Sequence, residues 1–274
     1  MTRSRASERV LDLVRGRVRL ERGPSRLPAG DRAAIVASWG PDARVSRSLA
    51  ELIHALDAAG YPSILVRASD DQAALQWPSA PPASTIVVRK PNIGYDFGSW
   101  AVGLDRFGSV AKRRHVILVN DSIAGPFTPL DDMVASFETS TADVWGATST
   151  RQFVPHLQSY LLGFRGGVLA DPAVRQFWRA VHHLEDKSRI IGDYELGLSH
   201  LLRAEGLTTR AWYASERVVS PTENPAITGW RRLVELGFPF VKREILQNPA
   251  VVPDARHAPD VIRERFGAEV AEWL

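Results

Sequence analysis

The chain has 274 residues, 45% hydrophobic and 24% charged, with a formal net charge of +3, an ordinary globular composition that can build one sizeable core. It contains no cysteine, which excludes disulfides, thiol catalysis and Cys-ligated zinc and fits a cytoplasmic protein. No apolar run approaches the ~20 residues needed to span a bilayer, and the basic start lacks the apolar block of a secretory signal.

The small net charge hides an asymmetry. Residues 1–26 carry eight arginines against Glu8, Asp12 and Glu21, a net of +5 that leaves −2 for the other 248 residues. Within this stretch Val10, Leu11, Val14 and Val18 fall on one helical face, with arginines around the rest. A basic amphipathic helix of this kind can lie on an anionic membrane surface, which would place the protein at the inner face of the cell membrane. A solvated leader is the alternative. Residues 1–30 therefore read as a basic arm and linker, and 31–274 as a single domain. The body lacks a basic stripe with interleaved aromatics, so no nucleic acid partner is expected.

From Ala33 a regular alternation begins. Ala33–Trp39, Ser63–Arg67, Thr85–Arg89 and Val116–Asn120 read as buried strands, and Val45–Ala59 and Phe97–Phe107 as the helices among them. Further on, Val144–Thr148, Tyr160–Phe164 and Thr209–Tyr213 read as strands. Helices are predicted at Pro172–Leu184, Tyr194–Glu205, Trp230–Leu236, Val241–Gln247 and Val261–Trp273. Short apolar runs alternating with helices predict an α/β fold with a mixed, mostly parallel sheet flanked by helices.

In such sheets ligands sit beyond the carboxyl ends of the strands. Two stretches end there: residues 89–100 (RKPNIGYDFGSW) and 116–127 (VILVNDSIAGPF). Asp121 follows the strand and suits a Mg²⁺ or Mn²⁺ ion, which often takes one or two carboxylates and completes its shell with phosphate and water. The alternative is a residue that caps its own turn. Asn92 and Asp96 flank Gly94, which permits a positive φ or a close backbone approach. Both are placed beside a nucleotide donor, with helix capping as the rival role. Asp70, after the second strand, is a further donor candidate or a plain loop acid.

This combination points to an enzyme acting on a nucleotide-diphosphate sugar. Displacement of the diphosphate requires a base for the acceptor hydroxyl. Asp193 and Glu195, in Gly192–Glu195, are the candidates, unranked. Their charge also suits a helix start, which is the structural alternative. His156, Gln158 and Lys242 are placed toward the acceptor or a phosphate. A nucleotidyltransferase is a weaker reading, because residues 39–46 (WGPDARVS) offer only one glycine and one arginine.

The run Asn92–Trp100, then Val119–Ser122 with Gly125-Pro126, resembles the rhamnan synthesis protein F family. Trp145-Gly146, His156–Tyr160, Phe177-Trp178, Tyr194-Glu195 and Gly237–Lys242 match as well, in order, across roughly residues 33–248. The resemblance implies a glycosyltransferase-A-like fold. It also implies transfer of a deoxyhexose, rhamnose first, to a growing surface polysaccharide on a lipid carrier. The Asp-x-Asp metal motif of that wider fold would correspond to Asn120-Asp121-Ser122, which has one acid rather than two. A non-catalytic nucleotide-sugar or glycan binding module is the alternative.

Overall fold

The computed structural model describes residues 8–274. In chain order the elements begin with a short helix α1 (Val10–Leu13), β1 (Arg19–Arg22), β2 (Arg32–Trp39), α2 (Arg47–Ala58), β3 (Ser63–Ala68) and β4 (Ile86–Lys90). There follow α3 (Tyr95–Arg106), β5 (His115–Asn120), β6 (Ile123–Ala124), α4 (Asp131–Glu138), β7 (Val144–Thr150), β8 (His156–Leu157) and β9 (Leu161–Arg165). The rest are α5 (Pro172–Arg179), α6 (Lys187–Ile190), α7 (Gly197–Ala204), β10 (Thr209–Tyr213), α8 (Trp230–Glu235), β11 (Val241–Lys242), α9 (Arg243–Gln247) and α10 (Ala258–Phe266).

Nine strands form one sheet in the order β1-β4-β3-β2-β5-β9-β7-β10, with β8 attached to β7. The strands β2, β3, β4, β5, β7 and β10 run one way, and β1, β8 and β9 run against them. The expected mixed, mostly parallel α/β sheet is the one observed. Strand alternation explains the two-sided burial. On β2, Ala33, Ile35 and Ala37 join one core with α3, α5 and α7, while Ala34 and Val36 join the other with α2 and α4. A third cluster, including Trp230, Val241, Ile245, Ile262 and Trp273, packs α8 to α10 over a two-stranded ladder of β6 and β11.

Local rules set the helix starts. Ser46 caps α2 by accepting from Leu49 N at 3.3 Å, and Asp171 caps α5 by accepting from Ala173 N, with Pro172 in the first turn. Gly94, at φ +83°, turns the chain into α3. A Cβ there would lie 2.4 Å from Val10 Cγ2, so this glycine also admits the N-terminal segment against the domain.

That contact changes the reading of the basic stretch. Its first seven residues lie outside the described ones. Beyond them the helix covers only Val10–Leu13, Val10 and Val14 are buried in the α3 core, and β1 pairs antiparallel with β4. Glu21 accepts from Arg89 at 2.7 Å. Val10 and Val14, two of the residues expected to face a membrane, are thus packed inside the protein. Two tail elements also differ from expectation. Val241–Lys242 pairs with β6 before α9 begins, and Gly267, at φ +69°, ends α10 where a helix was expected to continue to Trp273. Among the described residues no helix is long and apolar enough to cross a membrane.

Candidate functional site

The carboxyl ends of β2, β3 and β5 open into a cleft of about 1290 Å³ that reaches to Glu195 and to Lys242 and Arg243 of the tail. Alternation along β5 decides what its end presents. Asn120, in step with Val116 and Leu118, faces α3, where its Nδ2 donates to Asp96 Oδ2 at 2.7 Å. Asp121 falls on the other side and meets the end of β2, where Ser38 Oγ donates to Oδ2 at 2.6 Å and Trp39 N at 3.2 Å. Both hydrogen bonds fall on Oδ2; Oδ1 takes none from any described residue.

Beneath Asp121 lies Arg67, buried on β3 in register with Ser38. Its guanidinium donates to Ser38 Oγ at 2.7 Å and to the carbonyls of Trp39, Asp42 and Arg44 at 2.9 to 3.3 Å, and approaches Asp121 Oδ2 at 3.9 Å. It thereby holds the loop after β2 in place. Gly40 belongs to that loop because a Cβ there would overlap the guanidinium. On the tail side, Lys242 Nζ donates to Ser122 Oγ at 2.8 Å and lies 4.3 Å above the Tyr160 ring. Arg243 Nη1 reaches Ser46 Oγ at 3.4 Å.

Electrostatically Asp96 and Asp121 are strained. Burial raises the Asp121 carboxyl above its ordinary value, outweighing the Ser38 hydrogen bond and the charges of Arg243 and Arg67. Burial, with the Asp121 charge added, pushes Asp96 up to about 7. Lys90, only 2% exposed, donates to the carbonyls of Pro91 and Ile93, and burial lowers its ammonium to about 8.

Glu195 is held differently. It lies in a π-helical turn, Ile191–Leu196, leading into α7. Its Oε1 meets His156 Nε2 at 3.2 Å, and its Oε2 accepts from Ser159 N at 2.7 Å and from Ser159 Oγ. Burial works against its charge, but His156 and Ser159 together hold its carboxyl below the ordinary value. For His156, burial also opposes the charge, but the Glu195 bond and the Val154 carbonyl at 2.7 Å keep the imidazole above its usual value. When His156 is protonated the two form an ion pair, with Glu195 on the cleft side.

Asp96, Asp121, Gln158, Glu195 and Lys242 therefore line one cleft, as the sequence reading grouped them. Gln158 is fully engaged there, accepting from Thr148 Oγ1 at 2.7 Å and donating to Asn224 Oδ1 at 3.0 Å. Others stand outside. Asp70 and Asn92 are exposed and meet each other, Asn92 N donating to Asp70 Oδ1 at 3.3 Å. Gly94 serves the turn and the Val10 contact. His156 stands behind Glu195. Asp193 is half exposed and pairs with Arg189 at 3.4 Å, away from the cleft. Residues two apart on a helix do not share a face, and Tyr194 between them packs inward on Phe97 and Phe177.

Several lining groups escaped the sequence reading. Arg67 carries no motif and sits within a strand, although an arginine between buried Val66 and Ala68 is itself a signal. Trp39 and Tyr95, 53% and 49% exposed, stand at the cleft as large aromatic faces. As a metal site the cleft offers oxygen chemistry, including on Asp121 an oxygen, Oδ1, that takes no hydrogen bond from a described residue. Among the described residues no group of three or more His, Cys, Asp or Glu is assembled for an ion. That donor set suits a hard divalent cation completed by phosphate and water.

The family profile described as Rhamnan synthesis protein F matches residues 79–266, well over half of the chain. The chain belongs to the rhamnan synthesis protein F family. Membership implies a role in rhamnan or polysaccharide synthesis. The match starts later than the expected residue 33 and runs past 248, so it takes in β4, β5 and the tail that closes the cleft. Among curated proteins, this family member is 27% identical over 205 residues to virulence protein VirA of Vibrio anguillarum, covering 63% of this chain and 66% of the relative. It is 25% identical over 158 residues to the uncharacterized protein y4gN of Sinorhizobium fredii, covering 55% of this chain and 40% of that one. The chain thus spans a little under two thirds of the first relative and less than half of the second.

Proposed function

We propose that the protein is a glycosyltransferase of the glycosyltransferase-A type that moves a deoxyhexose, rhamnose by family analogy, from a nucleoside diphosphate onto a growing surface polysaccharide carried on a lipid. The observation that supports this most is the cleft itself. One cavity holds a strand-end carboxylate with an oxygen that takes no hydrogen bond from a described residue, two tail cations, two exposed aromatic faces and a preorganised carboxylate.

In this reading Trp39 or Tyr95 stacks on the nucleobase. Lys242 and Arg243 pair with the diphosphate and stabilise the charge it gains on departure. A divalent cation, held by Asp121 with water and diphosphate oxygens, would add Lewis-acid stabilisation of that leaving group. Glu195 takes the proton of the acceptor hydroxyl as its oxygen attacks the sugar C1 from the face opposite the breaking C1–diphosphate bond, so the anomeric centre inverts. Ser159 and His156 fix the carboxylate for that task.

A second reading has one observation in its favour. Glu195 already accepts three hydrogen bonds, which also suits a purely structural anion in a non-catalytic binding module. The test is release of nucleoside diphosphate from a panel of sugar nucleotides, in the presence of lipid-linked glycan extracted from a polysaccharide-producing bacterium. The transferase reading expects acceptor-dependent release from one donor, slowed at least tenfold in Lys242→Met. No release from any donor moves the assignment to the binding module.

A further inference from the structure

Beside the cleft lies a groove of about 560 Å³ that the donor chemistry leaves unused. The His156–Glu195 pair stands between the two. His156 lines the groove, Glu195 lines the cleft, and 3.2 Å separates their polar atoms. The groove carries Arg151, Arg203, Arg210 and Arg217 against a single acid, Glu216. Arg151 is neutralised by its ion pair with Glu216. Arg203 donates to the carbonyls of Ser199 and Pro155, which leaves its charge uncompensated. The guanidinium groups of Arg210 and Arg217 make no hydrogen bond or ion pair with any described residue.

Scattered surface arginines are ordinarily just solvated. Here three uncompensated guanidinium groups line one concavity, and its wall also contains Trp212. That ring is fixed by Tyr213 at 4.7 Å and Trp145 at 6.3 Å between centroids. A rigid aromatic face offers a platform for the apolar face of a sugar ring. Guanidinium forks match carboxylates bidentately and cannot be deprotonated.

We propose that this groove is the acceptor subsite and that it takes an acidic glycan, with sugar carboxylates on Arg203, Arg210 and Arg217 and a ring on Trp212. Calling the occupant an acceptor rests on the transferase reading. The preference for an acidic glycan does not. On that reading the glycan end reaches Glu195 past His156, so the charge of the groove selects which chains are extended.

The experiment is calorimetric titration of the full-length protein with tetragalacturonate and with its methyl ester, which keeps the backbone and removes the charge, in 0.15 M salt. The wild type is expected to bind the acid at least tenfold more tightly than the ester. Arg210→Ser/Arg217→Ser, two exposed positions whose folding is checked by thermal denaturation, loses that preference, whereas Arg243→Ser in the cleft keeps it. Equal binding of acid and ester, or a preference that survives the double variant, overturns the proposal. Nucleotide binding by the same preparations is the separate readout. Acid preference without nucleotide binding keeps the groove and removes the transferase, and nucleotide binding without acid preference does the reverse.

Discussion

Asp96 in the first turn of α3, Asp121 at the end of β5 and Glu195 at the π-helical turn are carboxylates of one cleft, yet burial raises the first two while hydrogen bonds hold the third below its ordinary range. The difference lies in the donors each one meets. Asp96 accepts one side-chain bond, Asp121 two on a single oxygen, and Glu195 three spread over both oxygens. A hydrogen bond to a charged group contributes about 1.5–3 kcal/mol, enough for three to outweigh the burial of a partly exposed carboxylate. Glu195 is thus an anion before anything binds. Asp96 and Asp121 are short of positive charge, and a ligand that brings cations relieves them.

The largest effect that would break this comparison is catalytic. Glu195→Gln is expected to slow sugar transfer by about 10²–10⁴-fold while leaving nucleotide affinity unchanged. Asp193→Asn, two residues away but exposed, leaves both unchanged in the same steady-state assay. Equal losses in the two variants would remove Glu195 from its role.

A smaller effect concerns stability. The Asp96 carboxyl rises from 3.8 unfolded to about 7 folded, so its neutral form is favoured by folding. The contribution is full below pH 3.8 and is lost as pH rises through about 7. Asp96→Asn, which keeps an acceptor for Asn120, escapes that loss. In chelator-containing buffer its advantage over the wild type should grow from pH 4 to pH 7 and stay level above, reaching on the order of 4 kcal/mol. A difference independent of pH would show that Asp96 is not desolvated.

The helix-side pair gives the smallest expected change. His156 is raised from 6.5, so its contribution is present below pH 6.5 and is lost as pH rises through its folded value. Glu195 is lowered from 4.5, so its contribution is present above pH 4.5 and is lost as pH falls through its folded value. Chemical denaturation of His156→Gln should therefore show a deficit of about 1 kcal/mol, widest between pH 4.5 and 6.5 and narrowing on both sides. A flat deficit would mean that the pair is held by packing rather than charge.

How much of this was legible in the chain follows from the range of the interactions. The strands β2 to β5 were readable because they are buried on both faces and announce themselves as continuous Val, Ile, Leu and Ala runs. Asp121 and Asp96 followed from strand ends, which are local. Non-local pairing stayed hidden. Nothing near Val241 tells that it leaves helical periodicity to form a ladder with Ala124, more than a hundred residues earlier. Val10 reads as part of a surface stripe because the space that receives it is made by Gly94 and Gly98, far along the chain. Lys90 and Arg67 were missed for a related reason. A lysine or arginine at a strand end normally reaches solvent, and only the folded loops show the carbonyls that hold these two inside. For Asp193 and Glu195 spacing alone shows that both cannot face the same cleft, while which of them does is decided by the packing of Tyr194 on Phe97 and Phe177.

The most direct measurement is calorimetric titration of the wild type and Asp121→Asn with thymidine-diphosphate and other nucleoside-diphosphate sugars, with and without Mn²⁺. The account predicts that one ligand binds the wild type, that Mn²⁺ strengthens it at least tenfold, and that Asp121→Asn loses this gain. Binding that is indifferent to both the metal and Asp121, or no binding at all, would contradict the assignment of the cleft as the sugar-nucleotide site.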